Sequence, residues 1–300
     1  MTLPSLPYPA WEDTKTSLHL FAQIVGKIRM ACHPKLNHWW HVTLYPNIDG
    51  LTTGLVPNNE MPFSLTLDLR NGDLVVRGPE GERKTVPLAG QSVASFYREV
   101  FATLAGLGIT PKIIARPYDM PFDTPFGELT DPAPWDAEAV ARFHEAILSI
   151  AGVFEAFRGK FCGKQTPVQL YWHSFDLVLT QFSGRRAPPR DGTNSDKEAY
   201  SHEVISYGFW PGDANVREPM FYTYTYPEPD GLGVSPLKPD AASWTGEPGG
   251  LMGLMPYEAM RSASDPSAAL TAFLTSAYTA GATAAGWDIE AFRRLDAVDL

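Results

Sequence analysis

A faint internal repeat constrains the fold of this chain more than any other sequence feature. The segment that begins at Phe21 matches the segment that begins at Phe154, an offset of 133 residues (154 − 21), and each ends in Gly-Lys. A proline and then a tryptophan follow at matching positions in both copies. Solenoid units recur every ~20–50 residues, so this longer period indicates a duplicated half-fold. The sequence therefore predicts an α+β fold of two pseudo-equivalent halves, each a mainly antiparallel sheet with flanking helices.

A proline-rich segment separates the two predicted halves. Residues 117–135 contain five prolines, at positions 117, 121, 125, 132 and 134. Proline clusters between periodic segments are typical of linkers. The predicted organisation is a first α/β half at 1–116, this linker at 117–135 and a second half at 136–300. Chains of this length can form one compact unit, which we expect here.

Apolar residues at three-and-four spacing predict helices at 12–31, 92–107, 136–161, about 265–285 and 287–295. The clearest helix is 136–161, and we expect five of its apolar side chains to be buried: Phe143, Ile147, Ile150, Phe154 and Phe157. The helices at 12–31 and 136–161 each carry one Gly-Lys pair, and we expect Lys27 and Lys160 to cap their C-termini.

Strands are predicted by alternating or β-branched runs bounded by turn residues. They fall at 36–45, 51–56, 63–69, 74–77, 84–88, 112–116, 168–182, 201–210 and 220–226, with a loop at 227–256. Asn71-Gly72, between two such runs, is the strongest hairpin signal in the chain.

Composition narrows the classes of partner. The net charge of −10 argues against nucleic acid and anionic membranes, which both favour a basic surface. No apolar run approaches the ~18–20 residues of a membrane span.

The N-terminal sequence lacks the pattern of a signal peptide, and Cys32 and Cys162 are the only cysteines, so we expect free thiols in the cytoplasm. Nucleotide-binding motifs are absent, and the sequence identifies no cofactor. It does not fix the oligomeric state.

Aromatic and polar residues at matching positions of the repeat predict a ligand pocket. Strand alternation places Trp39 and His41 on one face, and the 133-residue offset relates them to Trp172 and Ser174, with Asp176 two residues further on. Aromatic walls with convergent polar groups are typical of small-molecule sites. We expect an aromatic-lined pocket between the two halves, with His41 and Asp176 as the acid–base pair if the protein is an enzyme.

Further polar residues extend this hypothesis or compete with it. Adjacent arginines at a strand end can bind a carboxylate or phosphate, and Arg185 and Arg186 are the candidates. The imidazole of His202 and the ring of Tyr224 are candidates to complete the wall of the pocket. A competing hypothesis is a metal-dependent enzyme that uses His38 or His41 with His202 or Glu203. No metal motif supports it. A third possibility is a non-catalytic protein whose tyrosine and tryptophan faces bind a partner.

Several sequence blocks together resemble a bacterial family known only as a domain of unknown function. They are Asn37-His-Trp-Trp-His-Val42, Ser174-Phe-Asp-Leu177, Phe182-Ser-Gly-Arg-Arg-Ala-Pro-Pro189 and Tyr200-Ser-His-Glu-Val204. The resemblance extends over nearly the whole chain. The resemblance implies that the chain belongs to this family, and it implies no activity, substrate or catalytic residue. The leading hypothesis is therefore a protein that binds or acts on a small polar organic molecule.

Overall fold

The computed structural model describes residues 3–59 and 61–294. The α-helices are α1 (Glu12–Cys32), α2 (Val93–Ala105), α3 (Ala137–Arg158), α4 (Asn194–Ala199), α5 (Tyr257–Arg261) and α6 (Pro266–Ala284). The strands are β1 (Tyr45–Pro46), β2 (Gly50–Thr52), β3 (Ser64–Asp68), β4 (Asp73–Arg77), β5 (Arg83–Pro87), β6 (Gln169–Tyr171), β7 (Asp176–Arg186), β8 (His202–Trp210), β9 (Met220–Tyr226), β10 (Ser243–Thr245) and β11 (Met252–Pro256). Within the described ranges, none of the helices combines the length and apolarity needed to cross a membrane.

The chain divides into two compact units. The first comprises Leu6–Leu148 and Gln169–Asp176; the second comprises residues 3–5, Ser149–Val168 and residues 177–294. The division falls inside α3 rather than in the proline-rich segment 117–135, which belongs to the first unit.

The first unit contains a five-stranded antiparallel meander, in which β1 to β5 are neighbours in chain order. Its β3–β4 hairpin confirms the Asn71-Gly72 prediction: Leu67 pairs with Leu74, and Gly72 has a φ of 74°. Glycine adopts this left-handed conformation without a steric penalty. Helix α2 packs against β5 and against α1.

Helix α1 is buried on nearly all sides. Its buried side chains include Leu18, Phe21 and Val25, as the apolar spacing predicts, and also polar ones such as Gln23. A helix that is apolar all round is expected in a core. Helix α1 also buries polar side chains, and each buried polar group needs a specific hydrogen-bond partner.

The second unit contains β7 to β11 as neighbours in the order β10-β11-β9-β8-β7, each pair antiparallel. Helix α6 packs on β8 and β9. The approach is close at Gly281, where an added Cβ would lie 2.4 Å from Oγ1 of Thr225. Two antiparallel sheets with helices packed on them confirm the predicted α+β class and its two halves.

The apolar face of α3 is buried as predicted. Phe143, Ile147, Ile150, Phe154 and Phe157 are all at most 7% exposed. Phe143 packs against Trp11 in the first unit, and Phe157 against Tyr207 in the second.

The predicted strand at 36–45 is wrong. Asn37–Val42 forms a 3₁₀ helix, in which His38 and Trp39 have φ values of 53° and 61°. A tertiary contact accompanies this conformation: the Arg29 guanidinium on α1 donates a 2.9 Å hydrogen bond to the His41 carbonyl. The strand alternation that related Trp39 to His41 therefore does not apply.

Four other segments differ from their predictions. The run at 168–182 is broken by a turn between β6 and β7, 112–116 is not a strand, and the loop at 227–256 contains β10 and β11. No helix forms at 287–294, and residue 295 lies outside the described residues. Short strands and turns without clear periodicity account for most of these differences.

The two Gly-Lys pairs occupy different structural positions. Gly26 and Lys27 lie inside α1, which continues to Cys32, whereas Gly159 and Lys160 follow the last residue of α3. The prediction that Lys27 caps the C-terminus of its helix is wrong, because α1 continues beyond it to Cys32; Lys160 is exposed.

Candidate functional site

A buried polar stripe runs along α1. Lys15, His19, Gln23 and Lys27 recur every four residues, which places them on one side of the helix. All four are at most 6% exposed. Since buried polar groups are costly unless they are hydrogen-bonded, the partners of this stripe define the best candidate for a functional site.

His19 anchors the turn that follows β6. Its Nε2 lies 2.9 Å from the Trp172 carbonyl oxygen and 3.0 Å from that of His173. Carbonyls only accept hydrogen bonds, so Nε2 carries the proton and donates to both. In this tautomer Nδ1 is an acceptor, and it has no hydrogen-bond partner among the described residues.

His19 is neutral at physiological pH. Burial, reinforced by the positive charge of Lys15, lowers its pKa from 6.5 to about 3. The two backbone carbonyls favour the charged form and offset only part of this effect. A neutral imidazole with such a low pKa is a poor general base at neutral pH, so His19 acts as a positioning residue.

Gln23 fixes the segment that carries Tyr118. Its Oε1 accepts a 2.8 Å hydrogen bond from the Tyr118 backbone N–H, and its Nε2 donates a 2.8 Å bond to the Tyr118 carbonyl. The Tyr118 side chain is 54% exposed. Gln23 therefore holds the backbone of a solvent-facing aromatic residue beside α1.

Trp172 packs directly on the backbone of α1. A Cβ at Gly26 would lie 2.1 Å from Cδ1 of Trp172 and 2.7 Å from its Nε1. Only glycine leaves room for the indole at this distance. The Trp172 ring is 4% exposed, and its N–H has no hydrogen-bond partner in the part of the chain that the structure describes.

Substitution of alanine for Gly26 is expected to displace this indole. Alanine is normally better than glycine inside a helix by ~1 kcal/mol, but the steric conflict with Trp172 should reverse that and destabilise the fold by about 1–3 kcal/mol. The control is Gly152→Ala in α3, where an added Cβ meets nothing within 4 Å and should stabilise. Urea unfolding monitored by tryptophan fluorescence measures both. Equal stability of the two variants would contradict the close packing.

Lys27 lies beside two aromatic rings. Its Nζ is 5.2 Å from the ring centre of Trp172 and 6.0 Å from that of Tyr118. The side chain is 4% exposed, and burial lowers the pKa of its ammonium. No carboxylate or hydrogen-bond acceptor within residues 3–59 and 61–294 pairs with this nitrogen. We refer to Gly26, Lys27, Tyr118 and Trp172 as the Lys27 site.

The turn that carries Trp172 has a strained conformation. Phe175 is fully buried with a φ of 61°, and its N–H donates to the Tyr171 carbonyl at 2.7 Å. Its ring stacks on Phe143 at 5.4 Å and contacts His19 at 5.0 Å. A non-glycine residue in this region costs of order 1–3 kcal/mol and persists only where the surrounding packing enforces it.

His41 and Trp39 lie beside each other in the 3₁₀ helix Asn37–Val42, with ring centres 5.3 Å apart. His41 is buried, and its Nδ1 accepts a 3.3 Å hydrogen bond from the Leu36 N–H. The indole N–H of Trp39 has no hydrogen-bond partner among the described residues.

Ser174 and Asp176 follow Trp172 in the same unit. The Ser174 hydroxyl donates a 2.5 Å hydrogen bond to the buried Asp176 carboxylate. Joint action of His41 and Asp176 remains a prediction, and so does their placement in one pocket with Trp39.

The remaining predicted site residues belong to the second unit. Arg185 forms a 2.7 Å ion pair with Glu203 and donates to the carbonyls of Ala285 and Gly286, just beyond α6. Cations at a helix C-terminus are favourable, so these contacts stabilise the end of α6. Ligand binding by Arg185 and Arg186 remains a prediction. Arg186 is exposed and pairs in register with His202.

His202 and Tyr224 have partners of their own. The Nδ1 of His202 lies 3.0 Å from the Ser201 hydroxyl, and burial lowers the pKa of its imidazole. Tyr224 stacks on Tyr222 at 6.3 Å, and its hydroxyl lies 3.1 Å from that of Tyr200. Their participation in a ligand site remains a prediction.

A metal site finds no support in the described ranges. They contain no cluster of three or more His, Cys, Asp or Glu side chains that could hold a metal ion. Glu203, one proposed ligand, accepts hydrogen bonds from Ser183 and Arg185.

Sequence reasoning identified Trp172 but missed His19, Gln23 and Tyr118. The available signal was the four-residue spacing of polar residues through an otherwise apolar helix. Polar residues at this spacing normally mark a solvated face, so the pattern alone does not indicate burial.

The protein has an α+β fold in which the Lys27 site places a buried lysine beside two aromatic rings. A sequence model of a family of unknown function, DUF5996, matches residues 3–294, and the chain belongs to this family. Searches of curated proteins and of solved structures gave no match.

Proposed function

We propose that this protein binds a small organic anion, a carboxylate or phosphate, at the Lys27 site. The observation that carries the proposal is a buried ammonium without an anionic partner among the described residues. Beside it, the Trp172 indole N–H is a second buried donor that lacks an acceptor there. Two adjacent donors without an acceptor match the chemistry of a carboxylate or phosphate oxygen.

The free energies of these interactions favour a bound ligand over a purely structural role for Lys27. Each cation–π contact contributes about 0.5–2 kcal/mol, whereas burial of an ammonium costs several kcal/mol. The rings of Trp172 and Tyr118 therefore compensate only part of the cost. A charge-assisted hydrogen bond to an anion would supply roughly 1.5–3 kcal/mol more.

The surroundings suit an organic ligand with an apolar body. Tyr118 forms the exposed side of the site, and its position is fixed by Gln23. Trp172 is fixed by its contact with Gly26 and by the hydrogen bond from His19 to its carbonyl. Aromatic walls with a few fixed polar groups are typical of small-molecule sites, and rigid walls reduce the entropic cost of binding.

Replacement of Lys27 by methionine is expected to weaken anion binding by about 10–100-fold, since one charge-assisted hydrogen bond is lost. Benzoate and inorganic phosphate are the probes, and calorimetry at low salt gives the affinity. Methionine keeps the unbranched chain and removes a buried charge, so the fold should persist.

Two further variants sharpen this test. Lys27→Arg keeps the charge and should retain binding, and Lys112→Met removes an exposed lysine and should change nothing. Undiminished affinity of Lys27→Met for both probes would refute the proposal.

A further inference from the structure

Lys27 is a candidate nucleophile as well as a candidate cation. An amine attacks only in its neutral form, and removal from water without a carboxylate partner disfavours the ammonium. Both conditions hold at Lys27, whose side chain is 4% exposed and whose neighbours at Nζ are aromatic rings. Burial lowers the pKa of its ammonium accordingly.

We propose that the Lys27 amine forms an imine with a small aldehyde or ketone bound at the Lys27 site. This inference rests on the same ligand site as the proposed function, but it concerns the amine rather than the charge. The class of ligand is a carbonyl compound with an apolar or aromatic body, in keeping with the Trp172 and Tyr118 rings.

The chemistry balances without any co-reactant. The nitrogen lone pair forms a bond to the carbonyl carbon, and the carbonyl oxygen takes a proton from the nitrogen to give a carbinolamine. The carbon–oxygen bond then breaks and the second nitrogen proton leaves with the oxygen, so that one water is released and a C=N bond remains. The indole N–H of Trp172, which has no hydrogen-bond partner among the described residues, lies against Gly26, the residue that precedes Lys27.

The structure distinguishes Lys27 from other lysines of the chain. Lys112 and Lys160 are exposed, and their ammonium groups are accessible to water. Solvation favours the protonated form, which cannot attack a carbonyl. Lys27 should therefore react faster than the exposed lysines in the folded protein, and this difference in rate should disappear when the protein unfolds.

Hydride trapping tests the proposal. The native protein is incubated at neutral pH with 4-carboxybenzaldehyde and cyanoborohydride, which reduces an imine to a stable secondary amine, and the adducts are located by peptide mass spectrometry. We expect the Lys27 peptide to be labelled about ten-fold faster than those of Lys112 and Lys160, because desolvation favours the neutral, nucleophilic amine. In concentrated urea the three rates should converge. Labelling of Lys27 no faster than that of the exposed lysines would overturn the proposal.

Matched probes separate this inference from the proposed function. Lys27→Arg should lose the adduct at this position while it retains binding of 4-carboxybenzoate, which has no aldehyde. If the native protein binds 4-carboxybenzoate and Lys27 stays unlabelled, imine formation is wrong and anion binding stands. If neutral benzaldehyde labels Lys27 selectively and 4-carboxybenzoate does not bind, the imine stands and anion binding is wrong.

Discussion

Replacement of Phe154 by alanine is expected to lower the free energy of unfolding by about 3–5 kcal/mol, the usual range for a fully buried phenylalanine. Phe154 is 0% exposed in the middle of the apolar face of α3. Its truncation removes apolar contacts and leaves a cavity that close-packed neighbours fill only in part. Urea denaturation followed by circular dichroism measures the difference.

The matched control is Phe122→Ala, at a side chain that is 36% exposed. Partial exposure reduces both the transfer free energy and the cavity, so we expect a loss of less than about 1 kcal/mol. If the two phenylalanine variants unfold at the same urea concentration, the assignment of Phe154 to the core is wrong.

The second large effect is acid destabilisation through His19. The imidazole has a pKa of about 3 in the folded protein against 6.5 in the unfolded chain. Between these values the unfolded state binds one more proton than the folded state, so stability falls as the pH decreases below 6.5. At pH 5 the loss is about 2 kcal/mol, and it grows until the pH reaches the folded pKa.

His19→Gln isolates this contribution. Glutamine can still donate to the carbonyls of Trp172 and His173, but it does not titrate. The variant should lose about 2 kcal/mol less than the wild type between pH 7.5 and pH 5, measured by urea unfolding at both values. His19→Leu removes the donor and should be less stable than His19→Gln at each pH. If the unfolding free energies of the wild type and His19→Gln depend on pH in the same way, folding does not lower the pKa of His19.

The two proposals for Lys27 address one physical problem. A buried ammonium needs either a counter-charge or a lowered pKa. An anionic ligand supplies the counter-charge, and a neutral amine is the form that adds to a carbonyl. The matched probes therefore vary the carboxylate and the aldehyde separately.

Local periodicity determined the elements whose residues repeat regularly. The three-and-four spacing of α3 predicts its burial, and the alternation of Met220–Tyr226 gives β9 with its observed bounds. Asn71-Gly72 likewise predicts its hairpin, because few residues tolerate that backbone conformation. In such elements the backbone geometry alone relates sequence spacing to a shared face.

The tertiary structure decided the 3₁₀ helix at Asn37–Val42 and the candidate site. In this 3₁₀ helix the His41 carbonyl accepts a hydrogen bond from Arg29 on α1, where the sequence alternation predicted a strand. In the candidate site, His19 on α1 binds the carbonyl of Trp172, and Gln23 binds the backbone of Tyr118. These partners are 153 and 95 residues apart. Sequence spacing constrains only neighbours along the chain, whereas burial of a polar stripe depends on which distant backbone groups meet it.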